Sequence, residues 1–314
     1  MLGVCLVTYN QENYIAQAIE SVLNQQACGE QVIIYIGEDC STDMTGAICD
    51  QFARAYPENV LVLHRQCNMG LVNNTLDLLD RIRKDGGKYI AMLDGDDYWS
   101  DPQKLKKQLD FFHTHKDCGL IHTATDFLTS NGIQRDTRSS IQYGNVFNQI
   151  ESYRISNCSV IFKSELLDML NFQELSNQQF RSIDYVMYAI FSSKVPFAFL
   201  PEHTAVWRLG HASVSHPIGI EKQLDYINHE LKCWHYLSEQ FPDRWTYRNE
   251  DVQNYYHTRY FTLAFKLGDR RLALREAKLI TSASFHIKLK IFFAHSRFLM
   301  ALWLFSRQRF KGIV

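Results

Sequence analysis

The first third of the chain alternates short apolar runs with segments whose apolar residues recur every three or four positions. Apolar runs of this length predict β-strands, and the longer period predicts amphipathic helices. The predicted strands are 3–8, 31–36, 60–64 and 89–93, and the predicted helices are 12–25, one beginning near Ala47, and 73–83. Repeated strand-to-helix alternation predicts a largely parallel sheet with helices on both faces.

The pattern changes further along the chain. Pro102 behind Asp101 suits the first turn of a helix carrying Leu105 and Leu109. Residues 124–200 are the least patterned, and from about residue 220 the apolar spacing is helical throughout. The further predicted elements are strands 118–123 and 197–200 and helices 164–170, 184–191, 221–239, 251–267, 270–279 and 285–310. We therefore predict an α/β domain over 1–218 and a helical region over 219–314.

Composition narrows the class of protein. The chain has 314 residues, 46% hydrophobic and 21% charged, which excludes a disordered or collagen-like chain. A formal net charge of −1 gives no general attraction to nucleic acid, so none is predicted as a partner. Eight cysteines without a CxxC pair, and a start without a basic signal region, predict a cytoplasmic protein with reduced thiols.

Three carboxylates lie within four residues behind the fourth predicted strand: Asp94, Asp96 and Asp97. Like charges this close raise one another's pKa unless a cation lies among them. Carboxylate oxygens suit Mn²⁺ or Mg²⁺, which share coordination with substrate phosphates. The pattern therefore predicts a divalent-metal site. The alternative is a solvated turn whose aspartates cap the next helix.

Polar residues also follow the first two predicted strands, where an open α/β sheet binds its ligands. Glu38 and Asp39 can accept hydrogen bonds from a ligand, whereas Ser41 or Asp43 caps the following helix. After the first strand come an aromatic ring that can stack on a base and three polar groups. These residues are Thr8, Tyr9, Asn10 and Glu12.

Together these motifs resemble the family-2 inverting glycosyltransferases, which have a GT-A fold. The resemblance rests on four segments in the family's order over roughly residues 1–125. These segments are 7–25, 38–43, Asn68 with Gly70, and 88–99. The expected fold class is accordingly α/β, a GT-A (Rossmann-like), mostly parallel sheet flanked by helices and followed by a helical C-terminal region.

The resemblance implies a nucleotide-sugar donor, with UDP as the expected nucleotide, a divalent metal and transfer to a hydroxyl with inversion. Residues matching Thr8, Tyr9 and Asp39 would hold the nucleoside, with Asn10, Glu12, Glu38 and Asn68 as further donor-binding candidates. Asp94, Asp96 and Asp97 would hold ribose, metal and diphosphate. The sequence departs from the common pattern at Glu38, where Asp is frequent, and at Cys40, where Gly or Asn permits a tight turn.

The family places a catalytic base near the start of a helix in the second half of the domain, often in an acidic pair. Asp184 matches this position and is the candidate base. Ile183 replaces the first acid of the pair. The alternative is that Asp184 only stabilises the first turn of its helix.

The segment 207–215 resembles one that many of these enzymes place over the donor diphosphate. Arg208 can pair with phosphate oxygens. His211 can bind phosphate, or join Asp96 and Asp97 as a metal ligand. The alternative for His211 is a surface histidine satisfied by local hydrogen bonds.

The end of the chain is basic. Residues 266–314 carry eleven Lys or Arg against two acids, a net +9, which leaves −10 for residues 1–265. Segment 285–310 mixes aromatic and basic residues, which is typical of a helix at a membrane surface. Contact with the cytoplasmic leaflet is one interpretation. The others are a helix packed on the catalytic domain and a partner-binding face.

The sequence thus predicts a cytoplasmic, metal-dependent glycosyltransferase acting on a glycan or lipid-linked acceptor in surface-polysaccharide or other glycan synthesis. Two alternatives remain. A nucleotidyltransferase would show a Gly-rich, basic loop after the first strand, and residues 8–13 contain no Gly, Lys or Arg. The second alternative is a protein that binds a nucleotide sugar without turnover. It would explain why Ile183 replaces the first acid of the expected pair.

Overall fold

The computed structural model describes residues 1–137, 143–144, 155–209, 220–244 and 248–310. The chain forms two compact units, Met1–His211 and Ala212–Val314. The sequence-based boundary at residue 218 lies outside the described residues.

The first unit is an α/β domain. Its strands are β1 Leu2–Thr8, β2 Val32–Glu38, β3 Val60–His64, β4 Tyr89–Asp94, β5 Tyr98–Trp99, β6 Leu120–Thr129, β7 Gly132–Arg135, β8 Tyr143–Gly144, β9 Ile161–Lys163 and β10 Phe197–Arg208. Its helices are α1 Ile15–Leu23, α2 Thr45–Ala55, α3 Leu71–Lys84, α4 Lys104–Thr114, α5 Phe172–Asn177 and α6 Asp184–Ser192, with 3₁₀ turns at Asn157–Ser159 and Ser164–Met169.

The described strands pair into one sheet in the order β3-β2-β1-β4-β9-β6-β10-β5, with β7 beside β6 and β8 beside β10. The pairs β2–β3, β1–β2, β1–β4 and β6–β10 are parallel. Short β9 is antiparallel to both β4 and β6. The sheet is therefore mixed, with a parallel N-terminal half as the strand–helix alternation predicts.

Helices cover both faces of this sheet because its central strands are apolar on both sides. In β1, Val4 and Leu6 pack with α1 and α4 on one face, and Cys5 and Val7 pack with α3 and α6 on the other. All seven residues of β1 are buried. A continuous apolar run is the expected sequence of a strand covered on both faces.

Segment 124–208 contains several features that the sequence analysis did not predict. Strand β9 has three residues, too few for a detectable period. Strand β10 runs to Arg208 rather than stopping at Leu200, and its pairing with β6 shifts register around His203. An irregular strand interrupts the two-residue period on which prediction depends. The extension matters because it brings Arg208 to the end of a strand.

The second unit is helical in its described part. The helices are α7 Ile220–Gln240, α8 Asn249–Leu267, α9 Arg270–Ala277, α10 Phe285–His295 and α11 Arg297–Phe310. The predicted single helix over 285–310 is wrong, because the backbone leaves the helical conformation at Ser296, with ψ 122°. Among the described residues, none of the helices is long and apolar enough to cross a bilayer.

Candidate functional site

The carboxyl ends of the first parallel strands meet at one edge of the sheet. Thr8 at the end of β1 lies opposite Glu38 of β2, and Val7 lies opposite Asp94 of β4. On the far side of β2, Glu38 lies opposite His64 of β3. The predicted polar sets after β1, β2 and β4 therefore converge, as the strand–helix pattern implied.

The loops after β1 and β2 are locked together by hydrogen bonds. The Asn10 carboxamide oxygen accepts from the Thr42 N–H (2.8 Å), and the Asn10 N–H donates to the Ser41 hydroxyl (3.0 Å). Glu12 accepts from the Met44 N–H (2.9 Å). Asn10 and Glu12, both predicted to bind the donor, thus have a positioning role in this structure, and their contact with a donor stays a prediction.

Asp39 is buried, and each of its carboxylate oxygens accepts from a backbone donor. Its two carboxylate oxygens accept from the N–H groups of Met69 (2.7 Å) and Gly70 (3.0 Å). Asn68 is exposed and also accepts from the Gly70 N–H (3.1 Å). Asp39 therefore fixes the loop before α3 at the sheet edge, next to the exposed Asn68 side chain.

Glu38 is buried and is bonded within the fold. One carboxylate oxygen accepts from the Ser41 N–H (2.7 Å), and the other lies 3.2 Å from His64 Nδ1. Cys40 has a left-handed backbone with φ 60°. The tight turn expected at this position is present, although a residue with a Cβ forms it.

Tyr9 is the exposed ring of the site, with 44% of its surface accessible. Thr8 beside it is buried, and its hydroxyl donates to the Gln11 carboxamide oxygen (2.8 Å). A Cβ on Gly95 would lie 2.4 Å from that oxygen and 2.9 Å from the Thr8 hydroxyl. Gly95 therefore lets the acidic turn, residues 94–97, pack directly against the end of β1.

The acidic turn holds its carboxylates in a crowded, largely dry environment. Burial, with the charge of Asp96, raises the pKa of the Asp94 carboxyl to about 7. Burial and the charges of Asp96 and Asp94 raise the pKa of Asp97 well above its ordinary value. Asp96 is the more exposed neighbour of Asp97. Accumulated negative charge of this kind is relieved by proton or cation binding.

Asp94 is tied to the interior of the domain by a relay that the sequence analysis did not identify. The Asn157 amide nitrogen donates to both Asp94 oxygens (3.3 and 3.2 Å). The Tyr188 hydroxyl donates to the Asn157 carboxamide oxygen (2.6 Å). Tyr188 is fully buried on α6, one turn after Asp184. The relay thus links the acidic turn to the helix that carries the candidate base.

Arg208 lies directly against the acidic turn. Its Nε donates to the Asp96 carbonyl (2.8 Å), and its backbone N–H donates to an Asp97 carboxylate oxygen (2.9 Å). The guanidinium also lies over the rings of Tyr14 and Tyr98, 4.7 and 5.5 Å from their centroids. The two ring contacts, and a bond from a terminal guanidinium nitrogen to the Gln17 carboxamide oxygen (2.7 Å), hold the cation in place.

Asp184 is the first residue of α6, as the sequence predicted. Its carboxylate accepts from the Ser182 hydroxyl and the Tyr185 N–H, so the helix-stabilising role is present. Burial raises its pKa, and its charge in turn raises the pKa of Asp94. The two carboxyls therefore share one region. Ile183, where the family has its first acid, is buried in the core.

The residues present fit a divalent cation in charge and ligand type. Asp94 and Asp96 supply hard oxygen ligands, and the raised pKa of Asp94 shows the local excess of negative charge. Asp97 is turned inward, since its carboxylate also accepts from the Cys158 thiol. Among the described residues no three His, Cys, Asp or Glu side chains already form a metal-binding group. His211, the third predicted ligand, lies outside the described residues.

The positioning residues missed by the sequence analysis had no local signal. Asn157 lies in a three-residue 3₁₀ turn, and Tyr188 lies on the apolar face of a helix, where an aromatic residue is normally core. Tyr14 and Tyr98 are identified only by the guanidinium that lies over them. A contact between distant segments leaves no spacing pattern in the sequence.

The chain is similar to curated proteins over part of its length. The minor teichoic acid biosynthesis protein GgaB of Bacillus subtilis (strain 168) is 24% identical over 233 residues, covering 73% of this chain and 25% of that protein. A Mycobacterium tuberculosis relative that is 37% identical over 114 residues is matched over 32% of its length. The chain therefore spans about a quarter to a third of the length of these two relatives.

Solved structures show the same fold. The crystal structure of S. aureus TarS 1-349 in complex with UDP-GlcNAc superposes with a TM-score of 0.58 at 16% identity, covering 95% of this chain and 88% of that one. The mannosyltransferase PcManGT from Pyrobaculum calidifontis, in complex with GDP-Man and Mn²⁺, gives 0.56 at 10% identity, covering 97% and 86%. The profile of glycosyl transferase family 2 matches residues 3–168, more than half of the chain, and the protein belongs to that family.

Proposed function

We propose that this protein transfers a sugar from a nucleoside-diphosphate sugar to an acceptor hydroxyl with inversion at the anomeric carbon. The observation that carries the proposal is the meeting of Asp94, Asp96, Arg208 and Asp184 at the carboxyl edge of a family 2 domain. A displacement at a glycosyl diphosphate requires a base for the acceptor hydroxyl, here Asp184. It also requires positive charge beside the leaving diphosphate, which Arg208 and a metal ion held by Asp94 and Asp96 would supply.

The donor would lie across the ends of β1, β2 and β4. Tyr9 offers an exposed ring for the base, and the interlocked loops after β1 and β2 shape the surrounding wall. UDP is the expected nucleotide. TarS was crystallised with UDP-GlcNAc, whereas PcManGT was crystallised with GDP-Man, so the fold accommodates both kinds of donor.

Asp96 and Asp94 would hold a divalent cation, Mn²⁺ or Mg²⁺, with His211 and Asp97 as the further predicted ligands. When bound, such a cation neutralises charge that develops on the leaving diphosphate. Arg208 is already held beside the acidic turn by hydrogen bonds to the Asp96 carbonyl (2.8 Å) and the Gln17 carboxamide oxygen (2.7 Å), so its remaining N–H groups can pair with diphosphate oxygens.

Asp184 would accept the proton of the acceptor hydroxyl as its oxygen attacks the anomeric carbon. The C–O bond to the diphosphate breaks in the same step, and the nucleoside diphosphate leaves with the bonding electrons. Burial raises the pKa of Asp184, which makes it a stronger base than an exposed aspartate. Because its carboxylate is already oriented by Ser182 and Tyr185, the single acid can serve without the partner that Ile183 replaces.

The acceptor is proposed to be a glycan or a lipid-linked precursor in surface-polysaccharide synthesis. The relation to GgaB, a teichoic acid biosynthesis protein, supports this acceptor class. We place the reaction in the cytoplasm, and the eight free thiols of the chain support a reducing compartment.

Two measurements on one substitution test the proposal. Nucleotide sugars are screened with Mn²⁺ for thermal stabilisation and for release of nucleoside diphosphate, in the wild type and in Asp184→Asn. A donor at about 100 times its Kd should stabilise both proteins by about 2.7 kcal/mol. Release should fall about 10²- to 10⁴-fold in Asp184→Asn, since only the base is lost.

Asp110→Asn is the matched control, because Asp110 is an exposed helix residue whose carboxylate pairs with Lys106. Its release rate should equal that of the wild type. Undiminished release in Asp184→Asn would remove Asp184 from the base role. Stabilisation by a donor without any release from the wild type would favour the binding-protein alternative.

A further inference from the structure

Helices α10 and α11 each carry an apolar face that points to solvent. On α10 the exposed side chains are Phe285, Leu289 and Phe292, and on α11 they are Phe298, Leu302 and Phe305. Phe285 and Phe298 are 81% and 73% exposed. We call these six side chains the aromatic face.

The spacing within each helix is i, i+4, i+7, so the three exposed residues of each helix lie on one side. The opposite sides are packed. Ala294 of α10 and Met300 of α11 are buried in the core of the second unit with Phe261 and Phe265. Both helices are thus apolar on their packed and on their outward sides. A surface helix normally carries polar residues outward, and a large exposed apolar patch indicates a binding surface.

The Asp, Glu, Lys and Arg residues of segment 285–310 have one sign of charge. Residues 285–310 contain no Asp or Glu. Lys288 lies between Phe285 and Leu289 and is exposed, and Arg297 is exposed next to Phe298. Lys290 differs, since it is buried with its ammonium 5.9 Å from the Trp303 ring centroid. The outward basic groups are therefore available to an anionic partner.

From this arrangement we propose that the aromatic face docks on an anionic lipid bilayer, with α10 and α11 lying in the interface. Phe and Leu side chains enter the boundary between headgroups and acyl chains, while Lys288 and Arg297 remain among lipid phosphates. This proposal does not depend on the transfer reaction, and it would hold for a chain that binds a donor without turnover.

A second copy of the chain fits the face less well. A two-fold contact brings the same patch of both copies together, so each basic group would meet another basic group. With no acid in 285–310, the face lacks the complementary charge that such a contact needs. An anionic bilayer supplies that charge over its whole surface.

Flotation with vesicles tests the proposal. The full chain is mixed with phosphatidylcholine vesicles that contain or lack phosphatidylglycerol, at low and high salt. We expect the wild type to float with the anionic vesicles and to be released in part by salt. In Phe285→Gln/Phe292→Gln/Phe298→Gln, partitioning should fall about tenfold for each side chain removed.

Ile133→Gln is the matched control, because Ile133 is 59% exposed on β7 in the first unit and lies outside the aromatic face. Its flotation should be unchanged. Lys288→Gln/Arg297→Gln provides an independent variant, which should bind about fivefold more weakly for each charge removed and respond less to salt. The triple Phe variant and the Lys288→Gln/Arg297→Gln variant change only exposed side chains. Thermal melting checks that each is folded.

Three results would overturn the proposal. The first is a wild type that stays in the lower fraction with anionic vesicles. The second is flotation of the triple variant at the wild-type level. The third is equal flotation with and without phosphatidylglycerol, which would deny the role of the basic groups. Sedimentation of a dimer that only the triple variant dissociates, without flotation, would assign the face to a second copy and exclude the bilayer.

Discussion

Asp39 and Asp94 lie on either side of β1 at the same edge of the sheet, yet their electrostatic environments are opposite. Asp39 is buried with two backbone N–H donors on its oxygens. Asp94 receives one side-chain amide and lies close to Asp96 and Asp184, so its pKa rises to about 7. The Asp39 carboxylate receives hydrogen bonds from the backbone, whereas the negative charge of Asp94 is not balanced by its neighbours.

The difference separates an acid held by backbone donors from an acid that we propose to bind a cation or the donor. Backbone-held loops fix the wall of the site before any ligand binds, because the bonds of Asp39 are internal. The acidic turn is costly in the free protein, and a bound cation would remove that cost. Functional sites are often kept at the expense of stability in this way. The same Asp→Asn substitution should therefore have opposite effects on stability at the two positions.

The largest expected effect is on catalysis at the acidic turn. Asp96→Asn removes a half-buried carboxylate of the turn, and we expect the transfer rate to fall about 10²- to 10³-fold. The loss should be partly recovered at raised Mn²⁺ concentration, since the remaining carboxylates can still bind the cation weakly. Nucleoside-diphosphate release against Mn²⁺ concentration measures this. A wild-type Mn²⁺ profile in Asp96→Asn would contradict the assignment.

The next largest effect is on the free energy of unfolding, through Asp39. Asp39→Asn replaces one acceptor oxygen by an NH₂ group that faces a backbone N–H, so a buried donor loses its acceptor. The free energy of unfolding should fall by about 1–3 kcal/mol, with a lower melting temperature. Asp110→Asn again serves as the exposed control and should change little. A melting temperature at the wild-type value would show that Met69 and Gly70 do not depend on this carboxylate.

Asp94→Asn should do the reverse and stabilise the free protein. The folded Asp94 carboxyl has a pKa of about 7, against 3.8 for an ordinary aspartate, so it retains its proton while the unfolded chain ionises. Stability contributed by this group is full below about pH 4 and is lost as the pH rises toward 7. A neutral Asn removes that loss, so above pH 7 the variant should gain about 1 kcal/mol or more.

Melting temperatures without divalent cation, measured at about pH 5 and about pH 8, test this sign. The gain of Asp94→Asn over the wild type should be larger at the higher pH, while transfer activity falls. A variant less stable than the wild type at the higher pH would mean that the Asn157 bond outweighs the repulsion from Asp96.

The smallest effect is in the loop beside Asp39. Cys40 has φ 60°, where a residue with a Cβ is strained, so Cys40→Gly should raise the free energy of unfolding by up to about 1 kcal/mol. Cys67→Gly is the control, because Cys67 is an exposed thiol that does not have a positive φ. It should be neutral or destabilising. Equal effects at the two cysteines would contradict strain at Cys40.

Much of the parallel half of the domain could be predicted because its signals are local. Strand β1 reads as one apolar run, α1 has a helical period, and Asp94 follows β4 directly. The helical spacing predicts one helix over 285–310, although the segment contains a local start signal. Ser is a preferred N-cap residue, and the Ser296 hydroxyl accepts from the Leu299 N–H (3.3 Å) at the start of α11.

The sequence by itself determined the alternation of strands and helices, the family, and which acids lie at strand ends, since these follow from neighbouring residues along the chain. Only the tertiary structure decided that Asp39 accepts two backbone N–H groups while Asp94 lies near other carboxylates. It also decided that Asn157 and Tyr188 connect the acidic turn to α6, and that Arg208 lies over the rings of Tyr14 and Tyr98. The physical reason is that the state of a carboxylate depends on donors and charges brought from distant segments, and their distances do not exist until the chain has folded.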